Sequence, residues 1–151
     1  WEADLGRELR DGAFGENLTL SGVEVNGALL GERWRIGTAL LQVQGPRVPC
    51  VTFRGWMGEK GWVKRFTLEG RCGAYLKVIE EGRLGTGDEV TIEHRPAEGV
   101  TITEALRAFH GDRELLRRVL EVEDRAPSWD TVGVRLGVIP RTPDNGDGTT
   151  P

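Results

Sequence analysis

Twenty-two glycines are spread along 151 residues without a period. That is about twice ordinary usage. Without a repeat they give neither a collagen-like nor a low-complexity chain, and each is a place where the backbone can reverse. A chain punctuated this often favours short strands joined by tight turns over long helices. Apolar residues make up 38% and charged residues 29%, enough for one domain with a real core.

The hydrophobic period changes along the chain. Residues 1–10 read as the end of a helix, with Trp1, Leu5 and Leu9 four apart, stopped by Asp11-Gly12. From Arg33 the period is two. Trp34 and Ile36 alternate with Arg33 and Arg35, Gly37-Thr38 is a turn, and Ala39, Leu41 and Val43 alternate in turn, which predicts a β-hairpin. Val51–Met57 fits either a short helix or a strand, and Trp62–Phe66 a helical turn, with Gly55, Gly58 and Gly61 pointing to a loop-rich insertion. Strands are expected at 74–79 and near Val90 and Ile92, ending at Arg95-Pro96.

After Pro96 the period becomes helical. Thr101-Ile102-Thr103-Glu104 is a capping-box pattern, followed by Ala105, Leu106 and Phe109. Asp112 can cap a second helix carrying Leu115, Leu116, Val119 and Leu120. A third helix near Trp129 is weakened by Gly133 and Gly137. The expected organisation is a mainly β, barrel-like unit over 1–96, a helical appendix over 97–136, and a disordered tail over 137–151.

Several function classes drop out. The net charge of −4 argues against a nucleic-acid-binding domain. No apolar run approaches a membrane span, and the opening residues of the given sequence are not expected to be a signal peptide. The chain opens on Trp1 without an initiator Met, so an upstream segment is expected to be missing. Two cysteines, Cys50 and Cys72, are no disulfide framework, which points to a reducing, cytoplasmic setting. There is no nucleophile elbow and no phosphate loop. His94 and His110 lack metal-ligand spacing. Asp144–Gly148 lacks the terminal Glu of a calcium loop.

The segment that carries chemistry is Pro46-Arg47-Val48-Pro49-Cys50. Two prolines stiffen it, and a guanidinium three residues before a thiol favours the thiolate, the form that binds soft metals. On this local pattern alone a small buried hydrophobe is the slightly better reading of Cys50. Three further segments surround it in order: Gly15-Glu16-Asn17-Leu18, Gly70-Arg71-Cys72-Gly73-Ala74-Tyr75-Leu76-Lys77-Val78 and Gly87-Asp88-Glu89-Val90. Together they resemble the MOSC domain, named for the C-terminal domain of molybdenum cofactor sulfurases, and within it the YiiM-like branch.

The resemblance implies a MOSC-type β-barrel, partly open here because the family's domain begins upstream of Trp1, followed by a small C-terminal helical appendix. It implies binding of the pterin-based molybdenum cofactor (molybdopterin), with Cys50 as metal ligand and catalytic residue. The activity implied is oxidoreductase: reduction of a small-molecule N-hydroxylated base or similar compound, with electrons from a partner redox protein and no part for nucleic acid or membrane. A non-catalytic cofactor carrier and an inactive truncated fragment are the alternatives. Arg47 and Arg71 are the phosphate-binding candidates, while Lys64 and Arg65 read better as solvated surface charge. Asn17 could hydrogen-bond the pterin edge or cap a turn. Cys72 is expected to fill core or loop. Phe53, Trp56, Trp62 and Phe66 divide between pocket and core, with core expected for at least half.

Overall fold

The computed structural model describes residues 1–141. Among these, four strands form one antiparallel sheet in the order β3-β2-β1-β4. The expected hairpin is its centre: β1 (Arg33–Ile36) pairs with β2 (Ala39–Pro46), Ile36 opposite Ala39, across the Gly37-Thr38 turn. β3 (Ala74–Glu80) pairs with β2, and β4 (Val90–His94) with β1. Edges β3 and β4 do not meet, so the sheet is partly open rather than closed.

Side chains on opposed positions share a sheet face. Trp34 lies opposite both Leu41 and Ile92, and Ile36 opposite Ala39 and Val90. Ile36, Ala39 and Leu41 are buried, with Leu18 and Leu20 packed on them. The other face carries an exposed ion cluster, in which Arg35 contacts Glu80 at 2.7 Å and Glu93 at 2.8 Å.

Helix departs from the sequence expectation in both directions, and in each case a left-handed glycine marks the helix end. α1 (Glu2–Leu5) is shorter than expected because Gly6 adopts a left-handed conformation and stops it, so Leu9 packs on the core from outside the helix. Between β2 and β3 the ambiguous segment forms α2 (Val51–Met57) and α3 (Trp62–Glu69). Gly58 and Gly61 sit at their ends in left-handed conformations rather than dissolving them.

The appendix is helical throughout: α4 (Ile102–Phe109), α5 (Arg113–Glu121) and α6 (Ser128–Arg135). Thr101 and Glu104 form the predicted capping box, and Asp112 caps α5 through Leu115 N–H at 3.2 Å. Gly133 does not weaken α6. It leaves room for Ile139, whose Cδ1 would lie 2.6 Å from an added Cβ. The amides of Val138 and Ile139 donate to Gly133 O, so the backbone continues onto α6 before 142–151, the part of the expected tail outside the described residues. Trp129 joins appendix to sheet: it is buried, with its indole N–H 3.4 Å from Gln44 O.

The β3–β4 connection folds over the central hairpin turn. Arg83 N–H donates to Thr38 Oγ1 at 2.8 Å, and Thr38 N–H to Arg83 O at 2.9 Å. A Cβ on Gly82 would lie 2.4 Å from the Thr38 carbonyl carbon, whereas one on Gly85 would meet nothing within 4 Å. Gly82→Ala is therefore expected to cost about 1–3 kcal/mol, the usual range for overpacking against backbone. Gly85→Ala should be neutral or slightly stabilising. Urea unfolding of both variants checks the difference, and equal midpoints would disprove it.

Candidate functional site

Pro46 ends β2, and Arg47 N–H continues the ladder for one more bond, donating to Gly73 O at 3.1 Å. Val48 and Pro49 then carry the chain to Cys50, the N-cap of α2. Its Sγ accepts from Phe53 N–H at 3.5 Å, in the place an oxygen cap usually takes. The thiol is exposed. Its pKa falls below that of an ordinary cysteine chiefly because the Phe53 N–H bonds the sulfur; the Thr52 N–H and the positive charge of Arg47 add to this, and partial desolvation opposes it.

Arg47 is the organising side chain. Its guanidinium lies 3.6 Å from the centre of the Phe53 ring and 6.0 Å from that of Phe66. One nitrogen donates to Val48 O at 3.3 Å and another to Phe14 O at 3.4 Å. Three segments thus meet at one residue: the loop before Asn17 through Phe14, the strand end at Gly73, and the Cys50 helix through Phe53.

Beneath the guanidinium lies an aromatic cluster of Trp1, Phe14, Phe53, Trp62 and Phe66. Trp1 stacks on Phe66 with ring centres 5.6 Å apart, and Phe53 meets Phe66 edge-on at 5.2 Å. Phe53, Trp62 and Phe66 are buried, the core role expected for at least half of the four aromatics; Trp56 alone of them is exposed.

The other candidates fall as follows. Arg71 sits 4.4 Å over the Trp1 ring, but its charge is engaged by Asp4 and, at 3.2 Å, by Glu69. Asp4 is held below the usual carboxylate range by its hydrogen bond to Arg71. Asn17 is exposed on its loop. The loop is shaped by its neighbour Glu16, which accepts from the amides of Gly12 at 2.7 Å and Phe14 at 2.9 Å. Cys72 is buried, and desolvation pushes its thiol up to about 11. Lys64 is exposed and Arg65 half-buried, its guanidinium donating to Asp4 O at 2.9 Å. The fourth motif, Gly87–Val90, lies away from the thiol: it opens β4 beside Ile36, at the opposite end of the hairpin from Pro46.

Sequence reasoning overlooked two residues that assemble the site. Phe14 supplies both a ring and a carbonyl. Asn26 accepts the amides of Cys72 at 3.0 Å and Gly73 at 3.2 Å through its side-chain oxygen, holding the strand end that Arg47 pairs with. The Asn26-Gly27 dipeptide, a turn signal, was the available clue to the second.

Among the described residues no group of three or more His, Cys, Asp or Glu gathers to hold a metal ion, and no helix is long and apolar enough to cross a membrane. A cleft of about 420 Å³ between Arg33, Gln42, His94, Arg118 and Asp124 includes none of the Cys50 group. The family model for the MOSC domain matches residues 1–91.

The chain belongs to the MOSC domain family. That family is known for molybdenum cofactor binding. This MOSC domain is similar to the uncharacterized protein YflK of Bacillus subtilis, 34% identical over 85% of this chain and 60% of that protein. It is similar also to a protein named Reductase from Gibberella moniliformis, 26% identical over 87% of this chain and 24% of that protein. The chain therefore spans about a quarter to three fifths of these relatives. The crystal structure of YiiM from Geobacillus stearothermophilus superposes with a TM-score of 0.82 at 29% identity, covering 90% of this chain and 72% of that one.

The two thiols of this domain should differ in chemistry. Iodoacetamide is expected to alkylate Cys50 with a pH midpoint below that of free cysteine and to leave Cys72 unreacted in the folded protein. Arg47→Met should move the Cys50 midpoint upward, because the thiolate loses a neighbouring cation. Mass-resolved alkylation across pH checks both statements; an unchanged midpoint in Arg47→Met would show that Arg47 does not act on the sulfur.

Proposed function

We propose that this domain binds the molybdenum cofactor with Cys50 as the protein's ligand to the metal, and serves as a reductase of N-hydroxylated bases or related compounds. One observation supports this above the others: the exposed Cys50 thiol, biased toward thiolate, stands beside a guanidinium fixed on an aromatic ring.

The residues fit the group in kind. A thiolate is a soft donor suited to such a metal, and the described residues offer no competing cluster of metal-binding side chains. Arg47 presents a planar, permanently charged fork beside the sulfur and suits a phosphate. Arg71 would serve the same phosphate only by releasing Asp4 or Glu69, so it ranks second. Asn17, exposed on the loop that Arg47 reaches through Phe14, is assigned to the pterin edge.

When bound, the cofactor supplies the two-electron chemistry that N–O bond cleavage requires. The overall change takes R–NHOH, two electrons and two protons to R–NH2 and water. A partner redox protein supplies the electrons as its own carrier is oxidised. Within the chain, the amides of Phe53 and Thr52 and the charge of Arg47 lower the pKa of the Cys50 thiol, and the rings of Phe53 and Phe66 fix the guanidinium.

Purification from a host that makes the cofactor, with molybdenum and pterin measured per chain, tests the reading. Wild type should carry both. Cys50→Ser should lose most of the molybdenum and at least about a hundredfold of hydroxylaminopurine reduction, in the range for loss of a group acting in the transition state. Equal molybdenum in the two proteins would remove the ligand assignment. Retained cofactor without any reduction by wild type would favour a carrier.

A further inference from the structure

α2 and α3 follow Cys50 directly, and one side of each is buried: Phe53, Met57, Trp62 and Phe66 pack into the core. Their other side is uncovered. Val51, Trp56 and Leu68 are 70%, 63% and 76% exposed. Single exposed apolar side chains need no explanation, but these come with unneutralised charge. Arg54, Lys60 and Lys64 are exposed, and among the described residues none has a carboxylate within 4.0 Å. The two carboxylates of this segment are engaged elsewhere, Glu59 by Arg7 at 3.6 Å and Glu69 by Arg71 at 3.2 Å. Lys64 and Leu68 stand one helical turn apart on α3, so charge and apolar surface adjoin. The chain as a whole carries −4, which makes this a basic, apolar island on an acidic protein, beginning at the residue after the thiol.

We propose that the outer surface of α2 and α3 is where an acidic electron-donor protein docks to deliver electrons to the Cys50 site, an inference that rests on the reductase reading above. Aromatic side chains and arginine are enriched at protein interfaces, and Trp56 and Arg54 belong to that class. Unpaired surface cations steer an acidic partner and set the salt dependence of its association. A site that consumes two electrons per turnover needs its donor close, and this surface begins at Val51, the residue after the N-cap Cys50. An anionic membrane is the weaker occupant. The Trp56 indole N–H is committed to Ala13 O at 2.9 Å instead of being free for headgroups.

The test uses the cofactor-loaded protein, reduced flavodoxin as an acidic donor, and the double variant Arg54→Glu/Lys60→Glu. Surface plasmon resonance should show wild type binding flavodoxin with an affinity that falls as salt rises. The double variant should bind about tenfold or more weakly, with a flatter salt response, and lose donor-driven kcat/KM in proportion. Reduction driven by methyl viologen should be equal in the two proteins. Absence of salt-sensitive flavodoxin binding by wild type, equal binding by the variant, or sedimentation of wild type but not the variant with phosphatidylserine vesicles would each overturn the proposal. Loss of methyl viologen-driven reduction in wild type would instead count against the reductase reading, while the binding measurement still decides the docking surface.

Discussion

The contact between Arg47 and Phe53 is the constraint around which the rest of the site is arranged. A guanidinium 3.6 Å from a ring centre is fixed in plane and direction, and such a contact is worth about 0.5–2 kcal/mol depending on desolvation. That is comparable to, or smaller than, the roughly 1.5–3 kcal/mol from burying a ring such as Phe53. The aromatic cluster thus carries the local stability and Arg47 sets the electrostatics. With the cation immobilised, its remaining donors tie Val48 and Phe14 and its backbone amide ties Gly73. The prolines on either side confine the segment further.

Cys50 and Cys72 show how much environment decides. Both thiols feel the positive charge of Arg47, yet they move in opposite directions. At Cys72 desolvation dominates, because the side chain is enclosed beside the Asn26 clamp. At Cys50 the chain leaves the strand, caps a helix and returns to solvent, so amide hydrogen bonds to sulfur prevail. A cation near a cysteine is therefore insufficient to make a reactive thiol; the backbone must also deliver the sulfur to the surface.

Much of this was legible in the sequence where one local rule applied. The Gly37-Thr38 hairpin, the Thr101–Glu104 capping box and the Asp112 cap each depend on short-range geometry, and each is present. Cys50 stood out because charge and proline flank it within five positions. Glycine misled in the other cases. Gly58 and Gly61 resembled breaks in structure but are helix ends, and Gly133 resembled a helix weakness but makes room for Ile139. Gly6 went unremarked and halved the first helix. Phe14 was silent, and Asn26-Gly27 signalled only a turn, for a different reason: their partners lie at 47 and at 72 and 73, and no local pattern announces contacts at that separation. Arg71 and Arg47 looked equivalent as cations; only the structure shows that Asp4 and Glu69 have claimed the first.

The central claim is that Cys50 sulfur binds the metal, and X-ray absorption at the molybdenum edge of the purified, cofactor-loaded protein tests it most directly. The account predicts a coordination shell with one sulfur more than the cofactor's dithiolene provides, and loss of that additional sulfur in Cys50→Ser. A shell containing the dithiolene sulfurs alone in wild type, with the same spectrum in the variant, would contradict it.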